Sequence, residues 1–279
     1  MRRTVACLLC EIKATITGML TSSFIVLPGV GPVTERRWWQ EGVFDWRSFL
    51  DRPFIAGLSE HRKIWYDGEL RDAQSLMEKR YFHVFGARLP RREHWRLYET
   101  CRSRIGYLDI ETTGTSPESG EVTVVGLHRA GMTASLVYGE NLTSDRLQDE
   151  LDHCDLLVTF FGSVFDVPYL CTKFPTLRFP TLHFDLCFAA RRLSLRGGLK
   201  HIEQEMGIDR DTAVRGLDGL DAVRLWFQWR RGDVIARETL VSYNRADTEN
   251  LVPLADRVYE DMVSRFGPSS ITLHPAYSQ

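Results

Sequence analysis

Two carboxylates stand two residues apart in the stretch Tyr107-Leu108-Asp109-Ile110-Glu111-Thr112-Thr113-Gly114. The apolar run from Ile105 to Ile110 reads as a buried strand, and side chains alternate along a strand, so Asp109 and Glu111 point to one face. Like charges held side by side repel, and burial sharpens the repulsion. A hard divalent cation between them removes the conflict, because Mg2+ takes oxygen ligands from carboxylates of this kind. The plainer alternative is an exposed strand end with two solvated acids. Further along, Gly162-Ser163-Val164-Phe165-Asp166 follows a continuous apolar strand ending at Phe161. Asp166 falls where that strand hands over to a helix, at the strand-end crevice where α/β sheets bind ligands; by itself it also fits a helix N-cap. In Tyr243-Asn244-Arg245-Ala246-Asp247, residues 243 and 247 are four apart in a predicted helix, so a phenol and a carboxylate share one face.

The order Asp-x-Glu, Asp, Tyr-x-x-x-Asp resembles the DEDD superfamily of 3′–5′ exonucleases. The resemblance covers about residues 105–260. Tyr243, four before the last acid, points to the tyrosine subclass, since the histidine subclass would need His at 242, which is Ser. The runs Thr159 to Leu170, His183-Phe184-Asp185-Leu186, Leu199-Lys200 and Tyr243 to Asp247 look like the bacterial YprB-like branch. This resemblance implies an α/β, ribonuclease H-like mixed sheet flanked by helices and two Mg2+ or Mn2+ ions roughly 3.5–4 Å apart for phosphodiester cleavage. It implies that Asp109 bridges both ions, that Glu111 and Asp247 complete the site holding the attacking water, that Asp166 holds the second ion, and that Tyr243 orients the water. Lys200, after a Gly-Gly turn, would meet substrate phosphate or stand as a surface lysine. His183 and Asp185 read as structural or peripheral. One position departs from the family: Asn usually precedes the Gly of the second motif, and Phe161 stands there. The acids are untouched; the change bears on rate and on the grip on substrate.

These side chains need a sheet to carry them. Strands are expected at 105–110, 121–129, 133–138, 155–161 and near 181–185, with a hairpin at Ala130-Gly131 and a helix around 143–152. Helices then run to about 263, where Ala222, Leu225, Trp226 and Trp229 form a core stripe. Ahead of the sheet, residues 19–104 read as a small, mostly helical unit. Its Leu27-Pro28-Gly29-Val30-Gly31-Pro32 resembles the hairpin of helix-hairpin-helix modules, with Gly29 and Gly31 offering backbone amides to phosphate at a helix start; an ordinary helix–helix turn fits equally well. Trp38, Trp39, Trp46 and Phe49 are expected to pack its core. Residues 60–104 read as helical and basic, with Pro90 opening a helix that leads to the Asp109 strand. Residues 1–18 read as an upstream extension before a natural start at Met19, and 264–279 as a loose tail.

Charge divides along the same line. Residues 1–104 carry 18 Lys and Arg against 12 Asp and Glu, and residues 105–279 carry 17 against 25. A basic part joined to an acidic part suits a phosphate-binding surface beside a cation-binding site. Four of the six cysteines, Cys101, Cys154, Cys171 and Cys187, read as small core residues, and Cys7-x-x-Cys10 lacks a second pair at zinc-site spacing. A reducing cytosol is the simplest compartment, and no stretch is long enough for a membrane span. The expected partner is nucleic acid, DNA or RNA. Three functions fit: a metal-dependent 3′–5′ exonuclease, a nucleic-acid-binding protein of the same fold with weak or lost catalysis, and a structure-selective endonuclease.

Overall fold

The computed structural model describes residues 18–268. Most of the expected extension, with Cys7-x-x-Cys10, and residues 269–279 of the expected tail lie outside the described residues, while 264–266, read as tail, close the last helix. The chain divides into two compact units, one of residues up to Arg102 together with those from Met262, the other Ser103–Asp261.

The first unit is helical. Successive turns over 24–30 lead into α1 (Pro32–Gln40), followed by α2 (Trp46–Leu50), α3 (Glu60–Glu78) and α4 (Phe85–Arg88). Trp38, Trp39, Trp46 and Phe49 are buried together with Phe24, Tyr66 and Phe85. Turns, not a helix, precede Gly29, so the helix-hairpin-helix likeness extends to the turn and the helix after it. Gly29 takes φ +78°, a conformation open to Gly, and Gly31 is the N-cap of α1 without a side-chain cap.

The segment after Pro90 is a 3-10 helix, Arg91–Leu97, rather than the α-helix expected there. Glu93, His94, Trp95, Arg96 and Leu97 are all buried, which no single face of an α-helix achieves. Residues three apart eclipse in a 3-10 helix, and this aligns Glu93 with Arg96 (Oε2 to Nε 2.8 Å). Arg96 also pairs with buried Glu35 (2.9 Å), whose Oε1 accepts from Phe24 N at 2.7 Å. Arg96, in the segment read as basic, is thus an internal clamp rather than part of a positive surface.

The second unit is a five-stranded sheet of order β3-β2-β1-β4-β5, formed by β1 (Ile105–Thr112), β2 (Val122–Arg129), β3 (Met132–Val137), β4 (Leu156–Thr159) and β5 (Leu182–Asp185). β1 pairs antiparallel with β2, and β2 with β3, while β1, β4 and β5 run parallel. Ala130 and Gly131, both at positive φ, make the β2–β3 turn. The unit's helices are α5 (Ser144–Leu151), α6 (Asp166–Lys173), α7 (Leu186–Arg192), α8 (Leu199–Glu205), α9 (Gly219–Trp229) and all of α10 (Val234–Phe266) but its end from Met262, which counts with the first unit. One core holds Leu108, Ile110, Val125, Leu127, Leu157 and Leu170. The other holds Val124, Val137, Ala222, Trp226, Leu240 and Tyr243, with Leu225 and Trp229 packed against it, so the stripe on α9 is core. The fold is the expected α/β ribonuclease H-like mixed sheet flanked by helices, with a mostly helical N-terminal unit. Cys154 and Cys187 are buried as expected, but Cys171 is exposed on α6.

Candidate metal centre

β1 delivers the first two acids. Its continuous burial fixes the register, and Asp109 and Glu111 emerge on the face opposite Leu108 and Ile110. A register shift in the β1–β2 pairing falls between Glu111 and Thr112; such bulges re-aim side chains at functional edges. α10 supplies the third acid. It approaches closely because Gly126, opposite Asp109 in the ladder, has no side chain; a Cβ there would collide with Thr248 Oγ1 and Asn244 Oδ1. Ligand oxygens of Asp109, Glu111 and Asp247 consequently lie within 4.8 Å of one another. Glu111 and Asp247 are buried and Asp109 is partly open.

Asp166 stands beside this cluster. β4 ends at Thr159, short of the expected 161, so the Ile110 amide has no strand partner there, and Asp166 Oδ1 accepts its hydrogen at 3.2 Å. Tyr243 is buried, with its hydroxyl accepting a hydrogen bond from Lys200 Nζ at 2.7 Å. Lys200 also donates to the Leu217 carbonyl, so this half-buried ammonium is held by two partners. Gly29 and Gly31 belong to the first unit.

Three residues without an assigned role in the sequence complete the surroundings. Asn244 Nδ2 donates to Asp109 Oδ2 at 3.0 Å and to the Asp109 carbonyl at 3.2 Å. Arg210 donates through Nη1 to Asp247 Oδ1. The same guanidinium grips buried Glu203 through Nε (2.5 Å) and Nη2 (2.9 Å). His183 and Asp185 are structural: His183 Nε2 meets Thr159 Oγ1 at 2.8 Å, and Asp185 accepts from Phe161 N and Cys187 N.

The donor set fits a hard divalent cation. It is all carboxylate oxygen, desolvated and crowded, with two cationic side chains offsetting part of the charge. Burial first, then repulsion from Asp247, Glu111 and Asp166, drives the Asp109 carboxyl well above the usual carboxylate range, with Arg210 opposing. Burial and Asp247 do the same to Glu111, with Lys200 opposing. Burial lifts Asp166 to about 7 against its backbone hydrogen bonds.

These directions set a pH dependence. An acid whose pKa is raised by folding binds more protons folded than unfolded, so stability falls as pH rises from the unfolded value of about 4 through the raised value. The metal-free protein should therefore lose Tm between roughly pH 5 and 8. The Tm gained on adding Mg2+ should grow over the same interval, because bound protons must leave the ligands. Melts in EDTA and in Mg2+, with Asp166→Asn as control, check this. A metal-free Tm that climbs with pH equally in both proteins would contradict it.

No curated protein matches the sequence at a significant level. Among solved structures, the chain is similar to the family B DNA polymerase from the hyperthermophilic archaeon Pyrobaculum calidifontis (15% identity, 61% of this chain, TM-score 0.48), of which it spans only 27%. It is also similar to Brucella melitensis NrnC bound to pGG (18% identity, 63% of this chain and 81% of that one, TM-score 0.45). A third similar structure is the Aedes aegypti Nibbler EXO domain (13% identity, 63% and 87%, TM-score 0.43). Among the described residues no helix is long and apolar enough to cross a membrane. Residues 106–259, more than half of the chain, match the RNase_H_2 family model of the RNase_H superfamily, and the chain belongs to that superfamily.

Proposed function

We propose that this protein is a metal-dependent nuclease hydrolysing phosphodiester bonds of DNA or RNA, acting as a 3′–5′ exonuclease of the tyrosine subclass, YprB-like branch. The observation that carries the proposal is the gathering of Asp109, Glu111 and Asp247 within 4.8 Å on a ribonuclease H-like sheet. Two Mg2+ or Mn2+ ions, when bound, would supply an activated water and stabilise the leaving oxygen. In this reading Asp109, Glu111 and Asp247 would hold one ion, and Asp166 together with Asp109 would hold the other.

The remaining groups position the reactants. Asn244 fixes the Asp109 carboxylate through Oδ2. Burial and the neighbouring carboxylates of Asp247, Glu111 and Asp109 push the Tyr243 phenol far up, so it keeps its proton at neutral pH. Lys200 donates to the phenol oxygen and the phenol hydrogen is hydrogen-bonded to Asp247, so in this reading the attacking water would be oriented where the phenol and the Asp247 carboxylate meet. Residues 19–104 act as a grip on the nucleic-acid backbone, with the Gly29 and Gly31 amides toward phosphate, ahead of a catalytic domain spanning 105–263. The buried thiols Cys154 and Cys187 suit a reducing, cytoplasmic setting.

Metal-dependent release of mononucleotides from the 3′ ends of labelled DNA and RNA strands tests the proposal. No cleavage of either would favour a binding protein of the same fold, a reading supported by Arg210 seated on Asp247. Internal cuts would favour an endonuclease. Tyr243→Phe should slow cleavage by on the order of 10²-fold, within the span seen for positioned proton-handling side chains. It should keep the metal-induced rise in Tm, because the phenol is not a ligand. Loss of that rise in Tyr243→Phe would count against the assigned role.

A further inference from the structure

The crossover after β4 holds a strained backbone. Phe161 takes φ +66°, a left-handed conformation that Gly or Asn adopts readily and a bulky residue does not. Asp185 imposes it. Its Oδ1 accepts from Phe161 N at 2.9 Å and Cys187 N at 3.1 Å. Its Oδ2 accepts from Ser163 N at 3.0 Å and Ser163 Oγ at 2.6 Å.

The ring held at this cost does not fill the core. Phe161 is 38% exposed and Phe188 40%, with ring centroids 6.0 Å apart and planes tilted 35°. The Arg191 guanidinium lies 5.3 Å from the Phe188 ring centroid. The parallel register sets Tyr107 opposite Val158 and Thr159 opposite Asp185. The chain leaves the strand after Thr159 and reaches Asp166, whose Oδ1 accepts from the Ile110 amide between Asp109 and Glu111 at 3.2 Å, so Phe161 stands in the short connection that runs from the sheet to the acid cluster.

Resting on the nuclease reading above, we propose that Phe161 and Phe188 form a stacking platform for a nucleobase of the strand held at the acid cluster, with Arg191 available to an adjacent phosphate. Exposed aromatic rings beside an arginine are what single-strand binding uses, because every base has a π-face. A base reaches such a platform only when unstacked from its partner strand. The preferred substrate is therefore a single-stranded end rather than a closed duplex. A pair that only fastened the loop to α7 would have no need to leave both rings open to solvent.

Binding is measured in Ca2+ by anisotropy with a short labelled single strand. A companion strand carries 2-aminopurine at its 3′-terminal position. Phe161→Asn removes the ring and relieves the strain, so it should fold with a Tm at or above that of wild type. It should bind the strand roughly 10-fold more weakly, within the range of one lost stacking contact, while Phe161→Trp retains affinity. Phe188→Leu should weaken binding in the same direction. Wild type should quench the 2-aminopurine, and Phe161→Asn should not. A strand with abasic sites at its last two positions should bind wild type and Phe161→Asn alike. A folded Phe161→Asn with wild-type affinity, unchanged 2-aminopurine fluorescence, or no strand binding by wild type would each overturn the platform. Quenching that depends on Phe161 in a protein that cuts no strand would uphold the platform and reject the nuclease reading. Cleavage unaffected by Phe161→Asn would do the reverse.

Discussion

Asp109→Asn should nearly abolish cleavage in a protein that folds as wild type does. The substitution is close to isosteric, and the new amide can still present an oxygen to Asn244 Nδ2, which now donates to Asp109 Oδ2 at 3.0 Å. Packing on β1 is therefore preserved. What disappears is one negative charge at the centre of a crowded set, and with it a ligand that an amide replaces poorly for hard cations. Loss of an outer-shell partner alone typically costs about 10–100-fold in metal affinity or activity, so loss of a direct ligand should cost on the order of 10²-fold or more. The metal-free variant should melt at or above the wild-type temperature, because the remaining acids repel less. Mg2+ or Mn2+ binds the native state and raises the wild-type Tm by mass action, and that rise should shrink in the variant. Parallel melts and cleavage assays read both effects, and wild-type cleavage by Asp109→Asn would end the mechanism.

The parts of the site legible in the sequence are those fixed by local periodicity. Asp109 and Glu111 share a face because a buried strand alternates, and Tyr243 and Asp247 because a helix repeats near four. The hairpin was legible because Ala130-Gly131 offers the positive φ angles the turn uses. Residues brought in by the path of the chain were not. Arg210 lies in the connection between α8 and α9, and nothing in the local pattern says that it meets Asp247, 37 residues away. Asn244 sits inside the Tyr243–Asp247 motif, so its position was visible, but its reach to Asp109 depends on how closely α10 lies over Gly126. β4 ends early for a similar reason: the apolar run continues through Phe161, and only the carboxylate of Asp185, arriving from the next strand, turns the backbone there. The 3-10 segment 91–97 escaped periodicity because burial on every side leaves no amphipathic stripe to read.

Arg210→Met should be the most destabilising single change around the site. The side chain is 8% exposed and neutralises two anions at once, Glu203 at 1% and Asp247 at 9%. Its long axis is fixed by the two-pronged grip on Glu203, so Nη1 stays aimed at Asp247 Oδ1. Methionine fills a similar volume but leaves both carboxylates buried without a counter-charge, and breaking a buried pair from one side costs about 3–5 kcal/mol. For a unit of this size that corresponds to a fall in Tm of roughly 6–20 °C. Burial already raises the Glu203 carboxyl, with Arg210 opposing; without the guanidinium the carboxyl should take up a proton more readily, so the loss should be smaller in acid than at neutral pH. Replacing Glu203 as well, in Arg210→Met with Glu203→Leu, removes one orphaned charge and should recover much of the stability, since apolar replacement of a whole buried pair is often neutral. Added Mg2+ separates the two halves of the network. A divalent cation can restore counter-charge at Asp247 but not at Glu203, so the metal-induced gain in Tm should be larger in Arg210→Met than in wild type. A variant that melts with wild type would show that the guanidinium neutralises neither acid in solution. A deep loss of stability with no extra gain from Mg2+ would assign Arg210 to Glu203 alone and remove it from the metal centre.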